Sequence, residues 1–208
     1  MLWAVSTLAA AVYWVLSLGT SVSWTRSAIK GLAVAPLAFG QGAHVVALAL
    51  ALCSLGDVIL SRPGERAFLG GLIAFALGHL AWIAVFVMVG LSVPDAFVGG
   101  VPGVLLVGWL ILAGMMARVI LPRAGALAGP VAAYILIIVA MGVTAVGTAI
   151  SVLIGGAVLF AVSDVLLGLQ AFVLTAGSRA ERGANALIWP LYWGAIVLLT
   201  LGVLSSGQ

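Results

Sequence analysis

Charged residues are scarce in this chain, because only 6% of its 208 residues are Asp, Glu, Lys or Arg. A water-soluble domain carries far more charge on its surface, so we expect none here. Cysteine is nearly absent as well. The single cysteine, Cys53, lies in an apolar segment, which excludes an intrachain disulfide and indicates helix packing. The chain also has no Gly-x-Ser-x-Gly sequence, so a serine nucleophile has no support.

Long apolar runs are what the chain does contain, with 65% hydrophobic residues and a mean hydropathy of +1.37. Runs of about 18 to 25 residues suit a hydrocarbon core of ~30 Å at ~1.5 Å of helical rise per residue. We predict an all-α polytopic membrane protein: eight transmembrane helices in one bundle, forming a single integral membrane domain over residues 1–208. The predicted spans are 2–20, 28–40, 43–61, 67–90, 99–119, 126–147, 149–176 and 185–205. No Lys or Arg precedes the first span, which favours a retained helix over a signal peptide.

The positive charges indicate how these spans are oriented. All eight Lys and Arg residues lie at alternate junctions between spans, namely Arg26, Lys30, Arg62, Arg66, Arg118, Arg123, Arg179 and Arg182. The opposite loops, around Gln41, Pro94-Asp95 and Gly147-Thr148, have none. The positive-inside rule makes the basic side cytoplasmic and both termini non-cytoplasmic. The cations form no stripe for nucleic acid. The Ala-, Gly- and Val-rich composition suggests a bacterial inner membrane protein.

Small and aromatic residues add expectations about packing. Small residues recur four apart in Gly70-Ala74-Gly78, Gly99-Gly103 and Ser151-Gly155, a spacing that lets helices approach closely in lipid. These glycines lie inside apolar helices and do not resemble a phosphate loop. We expect Trp24 and Trp189 to anchor the chain at the inner membrane interface.

Two acidic residues stand inside predicted spans. Asp164 lies in the middle of the apolar run Gly155–Gly168, and Asp57 lies in a similar pattern within Leu50–Leu60. A carboxyl group at bilayer depth is costly and is usually retained for function. The two similar segments indicate either four-helix halves, 1–98 and 99–208, or a chance likeness between apolar helices.

Further polar residues share the cytoplasmic half of the predicted bundle. Lys30 opens the second span, Asp57 lies about one turn or ~6 Å in, and the others lie about two to three turns in. The group consists of Lys30, Asp57, His79, Tyr134, Asp164 and Tyr192. Apolar surroundings disfavour a charged carboxyl group, so at least one aspartate is expected to hold a proton near neutral pH. Such a pair suits general acid and base chemistry.

Each of these residues also has a structural interpretation. Asp57 could pair with Lys30 or Arg62 only to stabilise the fold, and His79 could be a hydrogen-bonded packing residue. Tyr134 and Tyr192 could likewise pack with satisfied hydroxyl groups. Zinc would require an unusual set of one histidine and two aspartates, because His44 lies at the far end of its span. We therefore expect neither a metal nor another cofactor.

These residues resemble the YhhN/TMEM86 lysoplasmalogenases, a family of eight-span membrane proteins. The matching segments span nearly the whole chain in the family's order: Lys30, Gly56-Asp57-Val-Ile-Leu60, Gly71 with Phe75 and His79, Pro130-Val131 with Tyr134, Gly156-Ala157 with Phe160 and Ser163-Asp164, and Tyr192. The family usually has Tyr-Tyr and then a nearby Gln in the last helix, where this chain has Tyr192-Trp193-Gly194-Ala195. In the family an aromatic residue tends to follow the histidine of the fourth span, and the corresponding residue here is Trp82.

The resemblance implies hydrolysis of the vinyl ether of a lysoplasmalogen, or of a related lysolipid or ether lipid, to a fatty aldehyde and a glycerophospho-base. It implies that Asp57 and Asp164 are catalytic, one as the acid and one as an ionised partner. His79, Tyr134 and Tyr192 would orient them, and Lys30 would meet the lipid phosphate. The expected partners are the lipid substrate and membrane lipids.

Two other classes of function remain open. A small proton-coupled lipid or solute transporter would use Asp57 and Asp164 as a proton relay and the second span, which contains Pro36, as a gate. A membrane scaffold would explain the small-residue spacing but not the intramembrane carboxyl groups.

Overall fold

The described residues of the computed structural model, 1–19, 23–40, 44–92 and 100–207, fold into α-helices without a β-strand. Two single-turn 3-10 helices, Leu121–Arg123 and Gly125–Leu127, connect α5 to α6. Within these ranges the helices are α1 Leu2–Ser17, α2 Trp24–Phe39, α3 His44–Leu60, α4 Glu65–Val89, α5 Gly100–Val119, α6 Ala128–Gly147, α7 Ser151–Phe172 and α8 Arg179–Ser205.

Five of these helical segments are long and apolar enough to cross a membrane, and they make the protein a multi-pass membrane protein. They are Glu65–Val89, Gly100–Arg123, Gly125–Gly147, Ser151–Phe172 and Arg179–Ser205. The first three helices have 16, 16 and 17 residues. A perpendicular crossing needs about 20 residues, so length alone does not make these three helices spans.

Each predicted span corresponds to one helix, but some boundaries differ. Helix α2 begins at Trp24 because Ser23 caps it, its hydroxyl oxygen accepting the backbone N–H of Arg26 at 3.1 Å. Helix α8 begins at Arg179 because Ser178 accepts the backbone N–H of Glu181 at 3.0 Å. Both helices therefore start with a polar turn that hydropathy does not register.

The chain divides into two compact units, Met1–Trp82 and Ile83–Gln208. In the first unit, α2 packs against both α1 and α3. The hydroxyl group of Ser54 on α3 donates to the carbonyl oxygen of Gly31 on α2 at 3.0 Å. Helix α4 meets α3 closely, since a methyl group added at Gly78 would lie 3.0 Å from the sulfur of Cys53. Cys53 is buried at this contact, as expected of a packing residue.

In the second unit, consecutive helices from α5 to α8 pack against one another, and the α7–α8 contact is the most extensive. A methyl group at Gly156 on α7 would lie 2.8 Å from the side chain of Leu199 on α8. Only glycine permits this approach without displacing a neighbour. The internal repeat with halves 1–98 and 99–208, and the single integral domain, stay predictions.

Two packing expectations have mixed outcomes. Gly70 and Gly78 do face α3 side chains, whereas Gly103 has no neighbour within 4 Å among the described residues. Gly99 and the predicted outer loops around Gln41 and Pro94-Asp95 lie outside the described residues. Trp24 is exposed, as expected of an interfacial anchor, but the prediction for Trp189 was wrong, because its side chain is only 4% exposed and packs on Tyr192.

Candidate functional site

Lys30 and Asp57 form an ion pair in the first unit. The ammonium nitrogen of Lys30 on α2 lies 3.0 Å from Oδ1 of Asp57 on α3. The Asp57 side chain is 1% exposed and that of Lys30 is 15% exposed. A carboxylate this deeply buried requires a nearby positive charge, and Lys30 supplies it. The open possibility that Asp57 pairs with either Lys30 or Arg62 is thus resolved in favour of Lys30.

Aromatic rings border this pair. The ammonium group of Lys30 lies 5.7 Å from the ring centre of Tyr13 on α1, a distance at which cation and ring attract each other. Phe75 on α4 packs so closely against Gly56 that an added methyl group would lie 2.6 Å from its ring. Gly56 precedes Asp57 in α3, so this contact holds α4 against the segment that carries the carboxylate.

His79 is fully buried on α4, one turn after Phe75. Its Nδ1 lies 2.7 Å from the carbonyl oxygen of Phe75, a hydrogen bond within its own helix. This bond fixes the ring orientation, and it assigns a donor role to Nδ1 because a carbonyl oxygen only accepts. His79 therefore presents Nε2 away from its own backbone.

Tyr134 and Asp164 are paired in the second unit. The hydroxyl group of Tyr134 on α6 donates to Oδ2 of Asp164 on α7 at 3.0 Å. Both side chains are buried, and Asp164 is 7% exposed. The sequence holds no Lys or Arg between Arg123 and Arg179. The phenol is a neutral partner for this carboxyl group, whereas the partner of Asp57 is the cation of Lys30.

A cluster of aromatic rings lies on α7 and α8. Phe160 is one turn before Asp164 on α7, and its ring meets that of Tyr192 on α8 edge to face, with centroids 5.3 Å apart. Trp189 packs on Tyr192 from one turn earlier, with centroids 5.6 Å apart. Phe160, Trp189 and Tyr192 are all buried, and they form a packed aromatic contact between α7 and α8.

The structure thus brings the sequence-predicted residues together in two pairs, Lys30 with Asp57 and Tyr134 with Asp164. Tyr192 contacts Phe160, and His79 bonds within α4. Sequence reasoning missed Tyr13, although it is one of only three tyrosines in the chain, and the other two were singled out. Its position in the first apolar helix was the available signal.

No group of three or more His, Cys, Asp or Glu side chains in the described residues is arranged to hold a metal ion. What the pairs offer chemically is a carboxylate held by a lysine and a carboxyl group held by a phenol. The two aspartates therefore differ in their partners, a cation for Asp57 and a neutral hydroxyl group for Asp164.

The long apolar helices and the buried carboxyl groups define a multi-pass helical membrane protein with polar residues held inside its helix packing. The sequence profile of the YhhN family matches residues 3–203, nearly the whole chain. The protein belongs to the YhhN family. Comparisons with curated proteins and with solved structures gave no match.

Proposed function

We propose that the protein is a membrane-embedded hydrolase that cleaves the vinyl ether bond of lysoplasmalogens or of a related ether lysolipid. The single observation that carries the proposal is the buried Tyr134–Asp164 hydrogen bond at 3.0 Å within the apolar helices α6 and α7. A carboxyl group in such surroundings is retained for function more often than for stability. The protein's membership of the YhhN family supports the proposal, because the resemblance of its residues to that family implies this chemistry.

The reaction requires an acid able to protonate carbon. A proton adds to the second carbon of the alkenyl chain, and the first carbon becomes an oxocarbenium ion. Water attacks that first carbon and loses a proton, forming a hemiacetal. The hemiacetal hydroxyl group then loses its proton as the bond between carbon and the glycerol oxygen breaks, and the glycerol oxygen takes up a proton. The products are a fatty aldehyde and a glycerophospho-base, and the overall balance consumes one water molecule.

We assign the acid role to Asp164. Its Oδ2 accepts the hydroxyl group of Tyr134, so the proton of a neutral carboxyl group lies on Oδ1. The Asp164 side chain is 7% exposed, and the hydroxyl group that it accepts belongs to a neutral phenol. After donation, the Asp164 carboxylate stabilises the oxocarbenium ion through its negative charge.

Asp57 is the second catalytic residue of the proposal. The ion pair with Lys30 stabilises its carboxylate form, which suits the tasks of stabilising the cation and accepting a proton from water. Tyr134 is a positioning residue that acts through Asp164. We also assign orienting roles to His79 and Tyr192, because both side chains are polar and buried inside apolar helices. The reaction needs no cofactor, since it moves only protons and water.

The proposal also covers topology and location. All eight helices cross the membrane, the Lys- and Arg-bearing junctions face the cytoplasm, and the protein resides in a bacterial inner membrane. The shorter helices α1 to α3 reach roughly 24 to 26 Å at the usual rise per residue, so they suit a locally thinned bilayer.

Purified protein in detergent provides the test. We expect it to release aldehyde from an alkenyl lysophospholipid but not from the matched alkyl lysophospholipid, which lacks the double bond. Asp164→Asn and Asp57→Asn should each lower kcat by at least about a hundredfold, the low end of the range for general acid–base catalysis. Each variant should keep the far-ultraviolet circular dichroism of the unsubstituted protein.

The alternative, a proton-coupled transporter, predicts a different result in the same assay. Detergent solution has no two compartments, so a transporter would bind the lipid and release no aldehyde. Absence of aldehyde from folded protein would refute the hydrolase proposal, as would full activity of Asp164→Asn.

A further inference from the structure

Three basic side chains gather where α2 begins and α3 ends in the first unit. Arg26 and Lys30 lie one turn apart on α2, and both approach the ring of Tyr13, with their cationic groups 5.6 and 5.7 Å from its centre. Arg62 follows α3, and its guanidinium lies 4.2 Å from the ring centre of Trp24. We name Arg26, Lys30 and Arg62 the basic cluster.

The basic cluster is anchored by neutral groups as well as by Asp57. Nη2 of Arg62 donates to the carbonyl oxygen of Ser23 at 2.9 Å and to the hydroxyl group of Ser27. Nη1 of Arg26 donates to the carbonyl oxygen of Gly19 at 3.4 Å. These bonds hold the guanidinium groups in place without neutralising them.

The cluster brings three positive charges close together, and the ammonium group of Lys30 lies 3.0 Å from the Asp57 carboxylate. Like charges held close together repel, and the repulsion grows where water is partly excluded. An anion bound beside Arg26 and Arg62 would relieve this repulsion. The amino end of α2, which carries the positive end of the helix dipole, adds to the same attraction.

We propose that the basic cluster binds the phosphate group of a lipid, with Arg26 and Arg62 as the contacting residues. Arginine offers a planar fork that matches the oxygen atoms of phosphate. Trp24 stacks on Arg62 and is 72% exposed, as suits an indole in the headgroup layer of a membrane. Lys30 stabilises Asp57, so the phosphate contact expected of Lys30 from the sequence moves to the two arginines.

The identity of the lipid as a lysophospholipid rests on the proposed function. The phosphate site would make that function specific for one class of substrate. The enzyme would select substrates that carry phosphate over alkenylglycerols that lack it. The phosphate group does not change during the reaction, so contacts to it would be made equally in the bound substrate and in the transition state. KM, and not kcat, would therefore carry the preference.

A purely structural role for Arg62 makes a different prediction. Arg62 joins the end of α3 to the start of α2, and the hydroxyl groups of Ser61 and Ser27 lie 2.6 Å apart across the same junction. A brace of this kind would affect stability and leave lipid preference unchanged. Arg26 distinguishes the two roles, because it bonds to Gly19 and not to α3. Arg26 therefore does not brace α2 against α3 through this bond.

Binding of lipids that the protein does not hydrolyse tests the proposal. The full chain in detergent micelles is titrated with an alkyl lysophosphatidylcholine and with the alkylglycerol of the same chain length. We expect the phospholipid to bind about tenfold more tightly, and Arg26→Gln and Arg62→Gln each to remove most of that difference. Arg66→Gln is the matched control, since Arg66 is an exposed arginine of the same unit, and it should bind as the unsubstituted protein does.

Several results would overturn the site. Equal affinity for the two lipids would do so, and so would equal losses in Arg26→Gln, Arg62→Gln and Arg66→Gln. Displacement of the phospholipid by equimolar inorganic phosphate would reassign the cluster to free phosphate. If Arg62→Gln does not fold, Arg62→Lys and Arg26→Gln decide the question. Phosphate-selective binding without aldehyde release would keep this site and refute the proposed hydrolase.

Discussion

Lys30 and Asp57 are buried to different extents, so we expect that replacing one lowers the free energy of unfolding more than replacing the other. Lys30→Met leaves the Asp57 carboxyl group, 1% exposed, without its counter-charge. The group must then stay ionised in apolar surroundings or take up a proton, and we expect a loss of about 3–5 kcal/mol in the free energy of unfolding. Methionine fills most of the volume of the lysine stem, so the loss reports charge more than packing.

Asp57→Asn leaves the ammonium group of Lys30 without its counter-charge, but Lys30 is less buried than Asp57. The Lys30 side chain is 15% exposed, and its flexible stem allows the ammonium group to turn towards water or lipid headgroups. We expect a loss of about 1–3 kcal/mol. The double variant should be more stable than the sum of the two single losses predicts, because it leaves no buried charge.

Unfolding in mixed micelles measures these differences. The folded protein in mild detergent is titrated with sodium dodecyl sulfate, and tryptophan fluorescence gives the free energy of unfolding for the four proteins of the double-variant cycle. Losses within about 0.5 kcal/mol for both single variants would refute the reasoning. So would a larger loss for Asp57→Asn than for Lys30→Met.

Three further predictions concern single contacts. Tyr134→Phe removes the hydroxyl donor to Asp164 and should lower kcat about tenfold at unchanged KM, whereas a change in stability alone would contradict its positioning role. Gly156→Ala should lower the free energy of unfolding by about 1–3 kcal/mol in the same titration, while Gly103→Ala, a position with open space, should not lower it. Ser178→Ala removes the cap of α8 and should cost about 1 kcal/mol, and an unchanged value would contradict the capping role.

The helical class of the fold follows directly from the sequence, because long apolar runs with few charges have no other stable form in a membrane. Helix starts were harder to place. Ser23 and Ser178 begin helices with polar first turns, and hydropathy places those turns outside the spans. A search for Ser with a suitable residue three positions on would have found the cap of α8, where Glu181 follows Ser178.

Side-chain pairs were predictable only in part. Lys30 was one of two candidate partners for Asp57, since both cations lie near the same predicted membrane face. The resemblance implied that Tyr134 orients the aspartates, but it did not say that Tyr134 bonds to Asp164, because a contact between helices depends on their rotation about their axes, which spacing along the chain does not give. Trp189 was misplaced for the same reason: its depth suited an interfacial anchor, but its helix face points inward.

The origin of the hydrogen atoms in the product tests the central claim most directly. The reaction is run in heavy water with an alkenyl lysophospholipid, and the aldehyde is reduced at once to the alcohol for mass spectrometry. Protonation at carbon by an exchangeable acid predicts one deuterium atom on the second carbon of the chain. An aldehyde without this deuterium, or no aldehyde from folded protein, would contradict vinyl ether hydrolysis by a carboxylic acid.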